Sequence, residues 1–394
     1  MPDISILYDQ SESDELGIRL TAQEMGIDLG YIPFYKVSYA FNEKGFKLST
    51  TGKDYSSILR SSQVVLNRCQ SKSRRIFATA ILESAGKTAI NPLVTEENCQ
   101  SKLKTLLGFS KIGIKVPRTV YVSPNARERS VSGGLHNNTE TIRTLIQNEF
   151  QEENVVIKPD AGTHGRGVQL AESTGDLVRI INGTEQSITN PSGVMAQELI
   201  PKWFYDLRIL VTKKRGKPPV CHRDALARCG FKEFRTNTFL GNMVVRARLP
   251  ESVRRKSEEC AEVLAEDSES YVLSLDAMPT IPIEMMENER ELRQSFTNLE
   301  EPFEDVSRVK GMLDKKRRFG EYTDAINRAY TSYMDTDAYR HIEGIVNETL
   351  AATAENVVFH EANACPDFWE QTRIVAGKNL ARDLLVCAQS LLDK

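Results

Sequence analysis

Four short segments carry residues whose types and spacing can do chemistry. The first is Val155-Val156-Ile157-Lys158-Pro159-Asp160-Ala161-Gly162-Thr163-His164-Gly165-Arg166-Gly167-Val168. A β-favouring run delivers Lys158, and glycines follow at 162, 165 and 167. Glycine lets a backbone approach a phosphate chain closely and turn its N–H groups inward. The Lys158 ammonium can sit beside the same phosphates. This is neither the Walker pattern nor the dinucleotide fingerprint, because no Gly-Lys-Ser/Thr follows and no helix opens at the glycines. An ordinary hairpin turn is the competing reading. The second segment is Met195-Ala196-Gln197-Glu198-Leu199-Ile200, followed by Asp206-Leu207-Arg208. An extended stretch can offer backbone groups to an adenine edge, and an acid a few residues on can take ribose hydroxyls. Alone, it also reads as a buried strand and a salt-bridged pair.

The third segment is Phe234-Arg235-Thr236-Asn237-Thr238-Phe239-Leu240-Gly241. Arg235 and Asn237 share a face of an extended chain. Arginine grips phosphate or carboxylate with two parallel bonds and stays charged at any working pH. The bland alternative is a surface turn. The fourth is split between Asp276 and His360-Glu361-Ala362-Asn363-Ala364-Cys365-Pro366. Glu361 and Asn363 lie two apart, so they project from one strand face. Two carboxylates and an amide are oxygen ligands suited to Mg²⁺ held jointly with a nucleotide. Solvated strand ends would look the same.

The elements that must position these residues are read from the rest of the chain. Its 394 residues suggest about two or three domains. Apolar residues are 40% and charged residues 27%, which excludes collagenous, disordered and disulfide-scaffold classes. The formal charge of −3 argues against a dedicated nucleic-acid binder. Seven scattered cysteines without C-x-x-C spacing argue against structural zinc and for reduced thiols in the cytoplasm. The first residues carry no basic and long apolar run, so no secretory signal is expected. No stretch approaches about 18 uninterrupted apolar residues, so no membrane span is expected.

Ile4 to Tyr8, Gln63 to Leu66 and Thr88 to Asn91 read as strands, alternating with helices over Glu15 to Met25 and Arg74 to Ala85. That alternation implies a parallel sheet, and residues 1–97 read as an open α/β domain. Gln100 to Ile112 reads as one helix, Thr119 to Val122 as a strand, Ser123 to Thr139 as a surface loop, and Thr141 to Phe150 as a helix. Val155 to Lys158, Val194 to Ile200, Leu207 to Val211, Tyr271 to Leu275 and Val357 to His360 read as strands. Ser252 to Ala265 and Leu380 to Leu392 read as helices. Residues 280–350 are dense in charge with helical periodicity and read as a helical insertion. No internal repeat is present.

In this order the segments resemble the ATP-grasp superfamily, and within it the carboxylate–amine ligases of the ribosomal-S6-modification and lysine-biosynthesis (amino-group carrier protein) type. Phe234-Arg235-Thr236-Asn237 and Glu361-Ala362-Asn363-Ala364-Cys365-Pro366 are similar to that group's Phe-Arg-Ser-Asn and Glu-x-Asn-x-x-Pro signatures. Leu66-Asn67-Arg68 and Ala89-Ile90-Asn91-Pro92 extend the likeness to the front domain. Gly241-Asn242 stands where related chains have two glycines. The likeness fails over about 280–350, which separates Asp276 from Glu361 by 85 positions.

The resemblance implies an α/β front domain at 1–97, a central ATP-grasp subdomain at 98–192 and a C-terminal one at 193–394, the ATP-grasp part being α+β. It implies that Lys102 and Lys158 contact nucleotide phosphates and that the loop Thr163, His164, Gly165, Arg166, Gly167 and Val168 closes over them. Gln197, Glu198, Leu199 and Ile200 would meet the adenine, and Asp206 the ribose. Asp276, Glu361 and Asn363 would hold one or two Mg²⁺, with Mn²⁺ as a substitute. Arg208, Arg235 and Asn237 would flank the transferred phosphate. Arg68 and Arg74 in the front domain are candidates for an acidic substrate group.

The activity implied is ADP-forming amide synthesis through an acyl phosphate, on an amino acid, peptide or small carrier protein. Positioning and electrostatics do the work in such transfers, so no nucleophilic Ser or Cys is expected. A kinase using the same nucleotide frame, or a non-catalytic nucleotide-binding regulator, are the alternatives. The insertion, with Lys315-Lys316-Arg317-Arg318 beside acidic 300–305, reads as solvated surface, or more sharply as a lid, a docking element or a dimer contact. Homodimeric and homotetrameric assembly are both left open.

Overall fold

The computed structural model describes residues 1–43, 45–122, 128–129, 135–136, 139–151, 154–160, 162, 165–183, 194–236, 241–312 and 314–392. The chain builds a mixed α/β architecture around three main sheets. The front sheet is parallel, in the order Leu29–Pro33, Ile4–Tyr8, Val64–Arg68, Thr88–Ile90. Val64–Arg68 is buried along its whole length, as a strand covered on both faces must be. The helices Ser13–Glu24 and Lys72–Ser84 follow the first and third strands in sequence. Leu29–Pro33 was not legible as a strand, because Gly30 and Pro33 weaken its β signal. Packing overrides that: a Cβ on Gly30 would lie 2.6 Å from Ile58, so only glycine fits there.

The second sheet is antiparallel, in the order Gln169–Ala171, Val155–Lys158, Val194–Glu198, Thr119–Val122. The helices Thr139–Phe150 and Thr174–Gly183 accompany it. Ile146, Phe150, Val155, Ile157, Ile180 and Ala196 form a core of its own. The glycine segment is therefore the loop of an antiparallel hairpin. The third sheet is antiparallel with six strands, Met243–Arg248, Asp224–Cys229, Tyr205–Lys213, Tyr271–Pro279 and Val357–Asn363 in that order, and Val220–Cys221 beside Tyr205–Lys213. Its alternation is strict. Tyr205, Leu207, Ile209, Leu273, Leu275 and Ala277 enter the main core, while Asp206, Arg208 and Asp276 turn to the other face.

The charged stretch after residue 280 forms three helices, Glu289–Met312, Phe319–Met334 and Asp337–Ala352. They are not a solvated appendage. Leu292, Leu299, Tyr322, Ile326, Tyr333 and Ile342 belong to the same core as the large sheet. Two of the buried tyrosines satisfy their hydroxyls against it: Tyr333 donates to the Val244 carbonyl at 2.9 Å, and Tyr339 accepts from the Arg246 N–H at 3.0 Å.

The expected helix from Gln100 to Ile112 is present as Lys102–Lys111, and a further helix, Leu93–Gln100, precedes it. The break is Ser101, whose hydroxyl accepts from the Lys104 N–H and caps the second helix. The helix Leu380–Leu392 returns to the front sheet, packing Leu380, Leu384 and Cys387 with Ile4, Ile6 and Ile18. Asn91 joins the front domain to the large sheet. Its amide donates to the Val272 and Ala364 carbonyls at 2.8 and 2.7 Å and accepts from the Val272 N–H at 2.8 Å. All seven cysteines are free. Among the described residues no helix is long and apolar enough to cross a membrane.

Candidate functional site

A cavity of about 530 Å³ lies between the two antiparallel sheets and the front domain. Its floor is the polar face of the large sheet. Asp276 stands directly opposite Arg208 on one side and Glu361 on the other, and Ser274 stands opposite Asn363. One register thus brings Asp276, Glu361 and Asn363 onto a single face. Between Asp276 and Ala277 the pairing slips, leaving His360 as an extra residue on its strand. Such a bulge re-aims side chains, and both His360 and Glu361 line the cavity. Neither ring nitrogen of His360 has a hydrogen-bond partner among the described residues. Burial, then the nearby Lys158 ammonium, holds the imidazole pKa down at about 4.

The acids on this floor are held by different cations. Arg208 donates to both Asp276 oxygens at 3.0 and 3.1 Å. Arg228 donates to both Asp206 oxygens at 2.6 and 2.9 Å and lies 3.1 Å from Asp276. Burial opposes ionisation of Asp276, but Arg208 and Arg228 outweigh it and hold the carboxyl well below its usual range. Asp206 is likewise pulled down against burial, chiefly by Arg228. Glu361 meets lysines instead, Lys102 at 3.5 Å and Lys72 at 3.9 Å. They overcome its desolvation and set its pKa at about 2.

The small sheet supplies the opposite wall. Val155–Lys158 ends with the Lys158 side chain in the cavity, where burial, then Lys102, lowers its pKa to about 8. The loop after it is tied down on both sides. The Lys102 ammonium donates to the carbonyls of Asp160 and Gly162 at 3.3 and 2.7 Å, and the Asp160 carboxylate accepts from Ser101 and the Leu103 N–H. Arg235, paired with Glu233, donates to the Gly165 carbonyl at 3.0 Å. Gly165 and Gly167 have φ of 69° and 72°, a region that β-carbons disfavour. Gly165, Arg166 and Val168 face the cavity, as do Gln197, Glu198, Leu199 and Ile200 from the next strand and its exit. The Glu198 side chain is engaged with Arg118, accepting from its backbone N–H at 2.8 Å.

The cavity therefore gathers Lys102, Lys158, Gly165, Arg166, Val168, Gln197, Glu198, Leu199, Ile200, Asp206, Arg208, Arg235, Asp276, Glu361 and Asn363. Thr163, His164 and Asn237 lie outside the described residues. The structure does not bring Arg68 or Arg74 to the cavity. Arg68 is buried against Asp14, Glu15 and the Pro366 carbonyl, fastening the front domain to the loop after Asn363. Arg74 is exposed and pairs with Asp9. Sequence reasoning missed Lys72, Arg228 and Lys202. Lys202 donates to Thr236 at 2.9 Å, and burial holds its pKa near about 8.

Among the described residues no three His, Cys, Asp or Glu side chains gather at metal-ligand spacing. The donors at hand are two carboxylates and an amide. That hard oxygen set fits Mg²⁺, whose remaining positions are commonly filled by substrate phosphate and water. Four cations pressed around two carboxylates mark the floor as a place for anions.

Residues 128–281 match the model of the RimK-like ATP-grasp domain. Over 239 residues the chain is 25% identical to the alpha-aminoadipate–LysW ligase LysX of Sulfurisphaera tokodaii, covering 60% of this chain and 73% of that one. It is 25% identical over 207 residues to the coenzyme gamma-F420-2:alpha-L-glutamate ligase of Methanococcus maripaludis, covering 50% of this chain and 60% of that one. The structure of the ATP-grasp ligase PsnB with its minimal precursor superposes with a TM-score of 0.52 at 12% identity, covering 98% of each chain, a likeness of fold.

Proposed function

We propose that this chain, an ATP-grasp carboxylate–amine ligase of the RimK and LysX type, forms its amide through an acyl phosphate and builds the active centre on the face carrying Asp276, Glu361 and Asn363. The observation that carries the reading is the register that sets Asp276 opposite Glu361, with Lys158 and Lys102 on the same cavity. A carboxylate is a poor electrophile because its oxygen is a bad leaving group. In the proposed reaction a carboxylate oxygen bonds to the γ-phosphorus of ATP as the bridging P–O bond breaks, leaving its electron pair on ADP. The amine then adds to the acyl carbon, the C–O bond to phosphate breaks, and the amine gives up a proton. Inorganic phosphate and an amide remain.

The residues take roles by position. Glu198 to Ile200 meet the adenine from the strand exit. Asp206, oriented by Arg228, faces the ribose. Lys158 and Lys102 face the phosphates under the loop from Gly165 to Val168, which Arg235 latches to the other wall. Asp276, Glu361 and Asn363 would hold one or two Mg²⁺; when bound, the metal neutralises phosphate oxygens and orients the in-line transfer. Arg208 and Arg235 flank the phosphoryl group, and Asn237 joins them in this reading. The enclosing loop keeps water from an intermediate that hydrolyses readily. One reactant is an amino acid, and its partner a carboxylate or amine on an amino acid, peptide or small carrier protein. The alpha-aminoadipate–LysW ligase and the F420-2 glutamate ligase support that class.

The test is ADP release with Mg²⁺ over paired panels of carboxylates and amines, with mass spectrometry of the product. Amide formation that needs both partners and releases phosphate is expected. A product that keeps the phosphate would replace the ligase reading with a kinase.

A further inference from the structure

Three buried lysines converge on Glu361 from three separate stretches. Lys158 ends a strand of the small sheet, Lys102 opens the helix Lys102–Lys111, and Lys72 opens the helix Lys72–Ser84 of the front domain. Lys158 feels the charges of Lys102 and Glu361, and Lys72 those of Glu361, Lys102 and Arg75. Lys102 and Lys72 approach Glu361 at 3.5 and 3.9 Å. All three line the cavity. Lys72 is the member that no family motif brought to notice.

Its surroundings give Lys72 a fixed seat and a weak partner. The ammonium donates to the carbonyls of Cys99 and Gln100 at 3.3 and 3.4 Å, at the negative end of the helix Leu93–Gln100. Its one carboxylate partner among the described residues is Glu361, 3.9 Å away. If Glu361 turns to a metal ion, that partner is lost while the two carbonyls still hold the ammonium in place. A buried ammonium without an anion is costly. The proposed reaction brings an anion into this same cavity, the phosphoryl group that leaves ATP.

We infer that Lys72 is the front domain's contact to the transferred phosphoryl group, holding it on the carboxylate side of the reaction. This rests on the ligase reading and adds a residue to it. Phosphoryl transfer then requires the front domain as well as the two antiparallel sheets.

Inorganic phosphate is the probe, because it occupies the same place after turnover. Its affinity for protein loaded with Mg²⁺ and ADP is measured by calorimetry for the wild type, Lys72→Met and Lys72→Arg, together with the affinity for ADP. The expected result is phosphate binding at least ~10-fold weaker in Lys72→Met, the loss of one charged hydrogen bond, with ADP affinity within ~2-fold and recovery in Lys72→Arg. Phosphate binding unchanged in Lys72→Met, or ADP lost in the same proportion, overturns the assignment. Lys72→Gln replaces Lys72→Met in the same comparison if the methionine variant fails to fold. The ligase reading fails separately, if wild-type protein shows this phosphate site yet joins no carboxylate to any amine.

Discussion

Asp276 and Glu361 face one another across two strands, yet they are held in opposite ways. Both oxygens of Asp276 are taken by planar guanidinium groups at 3.0–3.1 Å, and Arg228 carries the lattice on to Asp206. Glu361 touches only the point charges of two lysines, at 3.5 and 3.9 Å, and keeps 21% of its side chain exposed. Arginine's rigid fork fixes a carboxylate, whereas a lysine ammonium on a flexible stem releases one readily. The contrast assigns different jobs to two acids of like charge. Asp276 is the ligand preset by the frame of the site, and Glu361 is the ligand free to change partners.

The sharpest way to break this comparison is to neutralise each acid in turn. Glu361→Gln is expected to lower turnover at least ~10²-fold, as removal of a charge-stabilising group at a transfer centre does, while losing less stability in urea than Asp276→Asn. Asp276→Asn is expected to lose turnover too, and in addition about 3–5 kcal/mol of stability, because Arg208 and Arg228 are left short of a buried partner. A stable Asp276→Asn protein, or a Glu361→Gln one that loses as much stability as Asp276→Asn, would dissolve the distinction.

The third expectation concerns Lys158 and is smaller. Its pKa near about 8 lies below the ordinary 10.5, so between those values the unfolded chain binds more protons than the folded one. Stability therefore rises with pH across that window, the penalty for burying the ammonium being fully present below pH 8. Nucleotide affinity moves the other way. Free protein at pH 9 has lost most of the Lys158 charge, and binding should weaken by up to ~10-fold relative to pH 7. Lys158→Arg should remove that dependence, and isothermal titration at several pH values checks both trends.

Much of the frame was legible because local patterns agreed with tertiary needs. Ile4–Tyr8, Val155–Lys158 and Leu380–Leu392 fall where their apolar spacing puts them. Asp276 and Glu361 could be paired across 85 positions only through a family pattern, since spacing alone joins no distant strands. Arg228 was hidden in Asp224–Cys229, where small apolar neighbours give no alternation to read. The signal that could have exposed it is Asp206, an acid inside a buried strand that must own a cationic partner. Lys72 was overlooked beside Arg74 because only packing reveals which residue of a helix's first turn faces another helix's carbonyls. The helices after residue 280 looked solvated because their charges outnumber the tyrosines that anchor them.

The side chain of Asn91 does the work of a peptide group, completing hydrogen bonds that a neighbouring strand would otherwise make. With Arg68 and the shared core around Leu380, that rivet makes the parallel front sheet and the six-stranded one a continuous anvil. The four-stranded sheet keeps a core apart from both. In the proposed reaction the nucleotide lies between two halves that are packed separately.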